Sequence, residues 1–340
     1  MIVVLGSSEP NTTSALVQLE PHMSFSTSQE SIELLDNLLP SGAQQRRRAY
    51  ERVVRMVLMA TSFTTVIVLF AVAGSLIPPT IDFFQEVSFG EFFGTTEWYP
   101  LFEPPAYGIW ALLSATFLVM SIAIFVAVPG GLAAAFFLNQ YASDRVRRYL
   151  KPTLEILAGM PTVVFGFFAV NFVSPNLVQR FWPFGEVNFY NALSAGLVVG
   201  IMILPMMTTL AEDAMNAIPK ALIEGAYALG PTKREVCTGV IFPSALSGII
   251  ASIVISLSRA IGETTIVLLA AGASAKFTLN PGESVQTLAS FIGFAGIGDQ
   301  ETDSTGYRTI FAVGTFLFII TFVLNIISIR VVRRFREVYE

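Results

Sequence analysis

Residues 244–271 read SALSGIIASIVISLSRAIGETTIVLLAA, apolar or small throughout except for Arg259 and Glu263. The stretch exceeds the roughly 20 residues that cross a bilayer core, so it is read as one membrane-spanning helix carrying two opposite charges. At about 1.5 Å of rise per residue, Arg259 lies some 22 Å along the helix from Ser244, near mid-membrane. A charge facing lipid at that depth costs roughly 2.5–3.5 kcal/mol on insertion scales. The two charges are therefore expected to face the bundle interior and satisfy each other across one helical turn. Such a pair serves either an ion pathway or the fastening of helices, and the residues alone leave both readings open.

The rest of the chain repeats the apolar pattern. Of its 340 residues 53% are hydrophobic and 13% charged, and the mean hydropathy is +0.64, which excludes an ordinary soluble domain. Five further runs are long enough to span, at 56–77, 108–138, 153–172, 190–210 and 307–329. Sixteen of the twenty Lys and Arg fall before the first run, between the second and third, between the fourth and fifth, and after the sixth. The positive-inside rule then predicts an all-α integral membrane protein with six transmembrane helices and both termini cytoplasmic. The loop 78–107 carries Asp82, Glu86, Glu91, Glu97 and Glu103 without Lys or Arg, as an outer loop would. Its Trp98, Tyr99 and Phe102 are expected to anchor at the membrane interface.

Other segments carry weaker signals. Residues 1–45 form a polar tail, expected to be mostly disordered, in which Thr27 and Glu30 fit a capping box and Ile32, Leu35, Leu38 and Leu39 share a helical face. Domain organisation follows: the tail; a first span with its acidic loop at 46–107; and a core at 108–335. Pro129, Pro161 and Pro205 are read as kinks inside spans two, three and four, with Gly130, Gly131 and Gly159 permitting close helix contact. Glu155 is placed in the first turn of span three, where a negative charge suits the helix N-terminus. The loop 272–306 has a turn at Asn280-Pro281 and a short apolar stretch, 285–294, too short to span. Cys237 stands alone and His22 is the only histidine, so neither an internal disulfide nor a Cys/His metal cluster is available, and no cofactor is implied.

The basic loop 212–243 reads as two short helices. Pro219 suits the start of the first, and Gly230 with Pro231 its stop; Thr232 and Glu235 make a capping box for the second. The first carries Ala221, Leu222, Ala226 and Leu229, an apolar surface that either docks into a partner's groove or packs under its own bundle.

Glu224, Gly225, Ala226 and Gly230, followed by Val240, Phe242 and Pro243, resemble the EAA loop of permeases of ATP-binding-cassette importers, with Gly225 where that family usually has alanine. The blocks 154–170, 258–272 and 280–292 resemble the permeases of the phosphate importer. Phe93, Gly94, Trp98, Tyr99 and Pro100 incline towards its C-type (PstC-like) permease. The resemblance covers roughly residues 50–335 and implies a MetI-like permease core in a bacterial or archaeal cytoplasmic (inner) membrane. It implies a second homologous permease (PstA-like), two ATPase subunits (PstB-like) that dock on Ala221, Leu222, Glu224, Gly225, Ala226, Leu229 and Gly230, and an extracytoplasmic phosphate-binding protein (PstS-like). Arg259 would then offer its forked donor to phosphate, Glu263 would accept from a P–OH and compete for Arg259, and Thr264, with Thr265, would line the passage.

No G-x-x-x-x-G-K-[ST] loop, G-x-S-x-G elbow, HExxH or dense basic patch occurs, so ATP hydrolysis by that route, hydrolase chemistry and nucleic-acid binding lack support. The alternatives are an A-type phosphate permease, a permease for sulfate or molybdate, and, in another class, an ion-coupled carrier or channel using Arg259 and Glu263 as a relay.

Overall fold

The computed structural model describes residues 42–183 and 185–335. The expected Thr27–Glu30 capping box and the apolar face at Ile32–Leu39 lie outside the described residues. The chain divides into two compact units at Leu69/Phe70. In the first, the start of helix α1 (Gly42–Glu86) exposes apolar side chains such as Phe63 and Leu69.

Among the described residues, six helices are long and apolar enough to cross a membrane: Tyr50–Glu86, Trp110–Tyr141, Thr162–Phe181, Ala192–Asn216, Lys233–Ile261 and Thr305–Val331. The count agrees with the sequence reading, and three boundaries differ. Helix α1 continues through Pro78 and Pro79 to Glu86 instead of ending near residue 77. The third span starts at Thr162, because residues 153–158 belong to a separate amphipathic helix, α4 (Asp144–Ala158). Ser143 caps that helix, and it stops at Gly159, just before Pro161, whose ring drives the preceding residue out of the helical region. Pro161 thus precedes a helix rather than kinking one, and Glu155 sits in the last turn of α4 rather than the first turn of a span. The fifth apolar run is two helices, α10 (Phe242–Ile261) and α11 (Thr265–Ala270), separated at Gly262.

Helices α3 (Trp110–Phe136) and α7 (Ala192–Asn216) form the tightest pair. A Cβ on Gly200 would stand 2.8 Å from the carbonyl of Ala123, so only glycine permits this approach. Gly131 packs likewise against Met207, whereas Gly159 meets only carbonyls of its own helix. Pro129 and Pro205 lie inside these two helices as expected. The α7 N-terminus is closed by Asn191, whose side chain accepts from Ser194 N, and by the loop after α11: Ala192 N and Leu193 N donate to the carbonyls of Glu283 and Pro281.

The acidic loop folds inward more than its composition suggests. Ser88 caps a short helix, α2 (Phe89–Gly94), and Phe83, Phe92, Trp98 and Tyr107 are buried. Trp98 stands edge-on to Phe291 of α12 (Leu288–Ile297), with ring centroids 5.0 Å apart, a geometry worth about 0.5–1.5 kcal/mol beyond area burial. Trp98 is thus a core residue and not an interface anchor, while Tyr99 and Phe102 are exposed. The short apolar stretch expected at 285–294 is α12 itself, begun by a Thr287–Ser290 capping box.

Candidate translocation cavity and docking loop

The break between α10 and α11 decides what Arg259 and Glu263 can do. Because α10 ends at Ile261, the two residues do not face each other across a helical turn, and no ion pair joins them. This corrects the expected (i, i+4) pair. Glu263 is buried, and its Oε1 accepts the backbone N–H of Thr265 and of Ile266, both at 3.1 Å. The carboxylate caps the first turn of α11, satisfying donors that the break would otherwise orphan. Thr264 occupies the N-cap position and its hydroxyl donates to the Gly262 carbonyl at 3.3 Å.

Arg259 lies in the last turn of α10, where a cation suits the C-terminal end of the dipole. It lines a cavity of about 280 Å³ with Leu154, Glu155 and Ala158 of α4 and Met206 and Thr209 of α7. Neither Arg259 nor Glu155 forms an ion pair among the described residues. A larger cavity of about 540 Å³, lined by residues including Tyr190, Leu268 and Phe294, carries no charged side chain. Of these two cavities, the smaller is the one lined by charged side chains, Arg259 and Glu155.

The loop after α7 folds as the sequence predicts. Helix α8 (Lys220–Ala228) starts after Pro219, and Gly230 stops it with φ +84°, a backbone that L side chains rarely adopt. Helix α9 (Lys233–Val236) begins with both arms of the Thr232–Glu235 capping box in place. Helix α8 has one packed face and one exposed face. Ile223, Ala226 and Tyr227 pack on the cluster built from Met215, Ile218, Val236 and Ile241. Ala221, Leu222, Glu224, Gly225 and Leu229 face outward, and Leu229 is 89% exposed.

The family profile described as binding-protein-dependent transport system inner membrane component matches residues 127–337, more than half of the chain. The chain belongs to this family. Among its relatives, a probable ABC transporter permease protein, YqgH, of Bacillus subtilis is 31% identical over 73% of this chain and 79% of the relative. The phosphate transport system permease protein PstC of Mesorhizobium japonicum is 30% identical over 79% and 86%, and PstC 2 of Mycobacterium tuberculosis 30% over 82% and 90%. The fold is that of a bacterial ABC transporter involved in the import of alginate, with TM-score 0.59 and 17% identity over 85% of this chain and all of that one. It is also that of the inward-facing MetNI methionine ABC transporter, with TM-score 0.50 and 19% identity over 68% and 95%. This chain is a multi-pass permease subunit of an ABC importer, and the ATPase is a separate subunit.

One cluster in this permease escaped the sequence reading. Glu212, in the last turns of α7, is fully buried. Its Oε1 lies 3.0 Å from Lys151 Nζ and 3.7 Å from Arg147 Nη2, both on α4, and 3.5 Å from Asn216 Nδ2. Its Oε2 is buried with no hydrogen-bond partner. A fully buried carboxylate is tolerated only with such cations beside it. The signal was faint, because Glu212 closes an apolar run while its partners lie in the preceding basic loop.

Proposed function

We propose that this chain is the C-type permease of an ATP-driven phosphate importer, moving inorganic phosphate into the cytoplasm. The observation that carries the reading is Arg259: an unpaired guanidinium lining a cavity beside a broken helix, in a chain about 30% identical to PstC proteins over most of its length. A forked donor with no partner suits a tetrahedral oxyanion, and the facing Glu155 carboxylate keeps binding weak enough for release. Glu263 and Thr264 serve the pathway by holding the break open.

Ala221, Leu222, Glu224, Gly225, Leu229 and Gly230, with Ala226 packed beneath them on the inner face of α8, form the docking segment for one of two ATPase subunits of the PstB type. A PstA-like permease completes the membrane unit, and a PstS-like binding protein delivers phosphate from outside. Both termini lie in the cytoplasm of a bacterium or archaeon, with the basic loops, by the charge segregation along the chain. The organisation is a tail at 1–45, a first span and acidic loop at 46–107, and a core at 108–335 with its coupling loop at 212–243.

The test is uptake by proteoliposomes holding the permease pair, the ATPase subunits and the binding protein. Phosphate should accumulate only with internal ATP, and sulfate or molybdate should not replace it. Gradient-driven uptake without the ATPase subunits would overturn the reading in favour of an ion-coupled carrier.

A further inference from the structure

A chain of polar contacts runs from the loop after α7 to Lys151 of α4. Tyr227 of α8 donates from its hydroxyl to Gln140 Oε1 at 3.3 Å. Gln140 Nε2 donates to Asn139 Oδ1 at 2.5 Å, and Asn139 Nδ2 donates to Asn216 Oδ1 at 2.7 Å. Asn216 Nδ2 then donates to Glu212 Oε1, which also holds Lys151. Lys151 lies one turn before Glu155 on α4, and Glu155 lines the Arg259 cavity. Gln140 receives a second tie from the loop, because Lys233 of α9 donates to its carbonyl at 3.4 Å.

Asn139 and Gln140 belong to a π-helical turn, Phe137–Tyr141, that ends the second span. Such turns leave the backbone adjustable, since their hydrogen bonds are not those of the neighbouring α-helix. Arg147 grips this turn, donating to the carbonyls of Leu138 at 2.6 Å and Asn139 at 3.3 Å, while its Nη2 stays 3.7 Å from Glu212. Glu212 Oε2, buried and unpartnered, can take one further donor. A shift of the π turn that releases the Leu138 carbonyl would let Arg147 swing to Oε2. Such a swing would give the cluster a second discrete arrangement, as coupling between distant sites requires.

We propose that Glu212 is a positioning residue that transmits ATPase docking on α8 to helix α4, and so to Glu155 at the Arg259 cavity. The proposal rests on the importer reading above. The ATPase subunit moves α8 and α9, the π turn follows through Gln140, and Arg147 and Lys151 carry the change into α4.

Hydrogen exchange of residues 144–158 in the assembled complex, with and without its ATPase subunits, tests this. In the native complex, docking should change protection across α4; in Asn139→Ala and Glu212→Gln that difference should vanish, although the subunits still co-purify. Phosphate taken up per ATP hydrolysed should fall at least about fivefold in both, the lower end of typical coupling factors. A merely structural role would alter α4 equally in the two states. An unchanged docking-dependent difference in Asn139→Ala, with an unchanged uptake-to-hydrolysis ratio, would overturn the proposal. Should Glu212→Gln fail to assemble, Asn139→Ala decides alone, because it leaves the buried ion cluster intact. Absence of phosphate uptake in the native complex would refute the phosphate reading and leave the exchange experiment standing.

Discussion

Glu155 and Arg259 share the walls of one cavity, brought there by two different helices, and do not pair with each other. An ion pair would hold the guanidinium out of reach of an anion; its absence leaves Arg259 able to act. Arg259→Gln should reduce phosphate uptake about 10- to 100-fold, the worth of a lost charge-assisted hydrogen bond, while the complex still hydrolyses ATP. Arg259→Lys should recover only part of the loss, since an ammonium lacks the planar fork. Uptake in proteoliposomes beside ATP hydrolysis is the measurement, and undiminished uptake in the Gln variant would remove Arg259 from the pathway.

Glu263 makes a different prediction from the one its neighbour suggests. Its Oε1 serves the backbone of Thr265 and Ile266, a task that an uncharged oxygen can also perform. Glu263→Gln should keep the fold near native stability, while Glu263→Ala should lose about 1 kcal/mol, a typical cap loss. Thermal unfolding of the purified complex separates the two. Equal Tm values for Gln and Ala would mean that the cap contributes nothing.

How far the chain could be read depended on whether the signal was local. Hydropathy and basic flanks placed six spans, and Pro219, Gly230, Thr232 and Glu235 placed the two short helices of the loop after α7, because turn and cap chemistry works between near neighbours. The break at Gly262 was hidden inside a long, mostly apolar run, and it is stabilised by the Glu263 side chain folding back on Thr265 and Ile266. Glu155 was assigned to the wrong helix for a similar reason, since the Gly159–Pro161 stop lay inside one unbroken hydropathic run. Trp98 looked like an interface residue until its partner Phe291 was known. Such pairings are set by tertiary contact, which periodicity does not encode.

Gly225 offers a minimal change, one methyl group, on the outward face of α8. A Cβ there would meet nothing within 4 Å, and the residue lies inside α8 with ordinary helical backbone. Gly225→Ala should therefore stabilise the loop by about 0.5–1 kcal/mol and leave ATPase co-purification intact. Glu224→Lys reverses a charge on the outward face and should weaken co-purification without unfolding the spans. Retention of the ATPase by the Lys variant at native levels would count against docking through this face.

The loop after α11 supplies the pH prediction. Glu283 is held below the ordinary carboxylate value of 4.5, first by its hydrogen bond and ion pair with Lys276, with further donors from Thr278 and Asn280. A carboxyl whose folded value is lowered contributes stability that is complete above 4.5 and is lost as the pH falls through the lowered value. The same segment caps α7, because the carbonyls of Glu283 and Pro281 receive Ala192 N and Leu193 N, so protonating Glu283 should loosen the start of that helix. The contribution is modest, since the pair is partly exposed and screened by salt. Native complex should lose Tm more steeply on acidification below 4.5 than Glu283→Gln, which has no charge to lose; Lys276→Met should likewise flatten the profile, because without its partner the carboxyl returns towards its ordinary value and has less pH-dependent stability to lose. Parallel Tm profiles for native and Glu283→Gln protein through that range would show that this pair does not hold the loop against the helix.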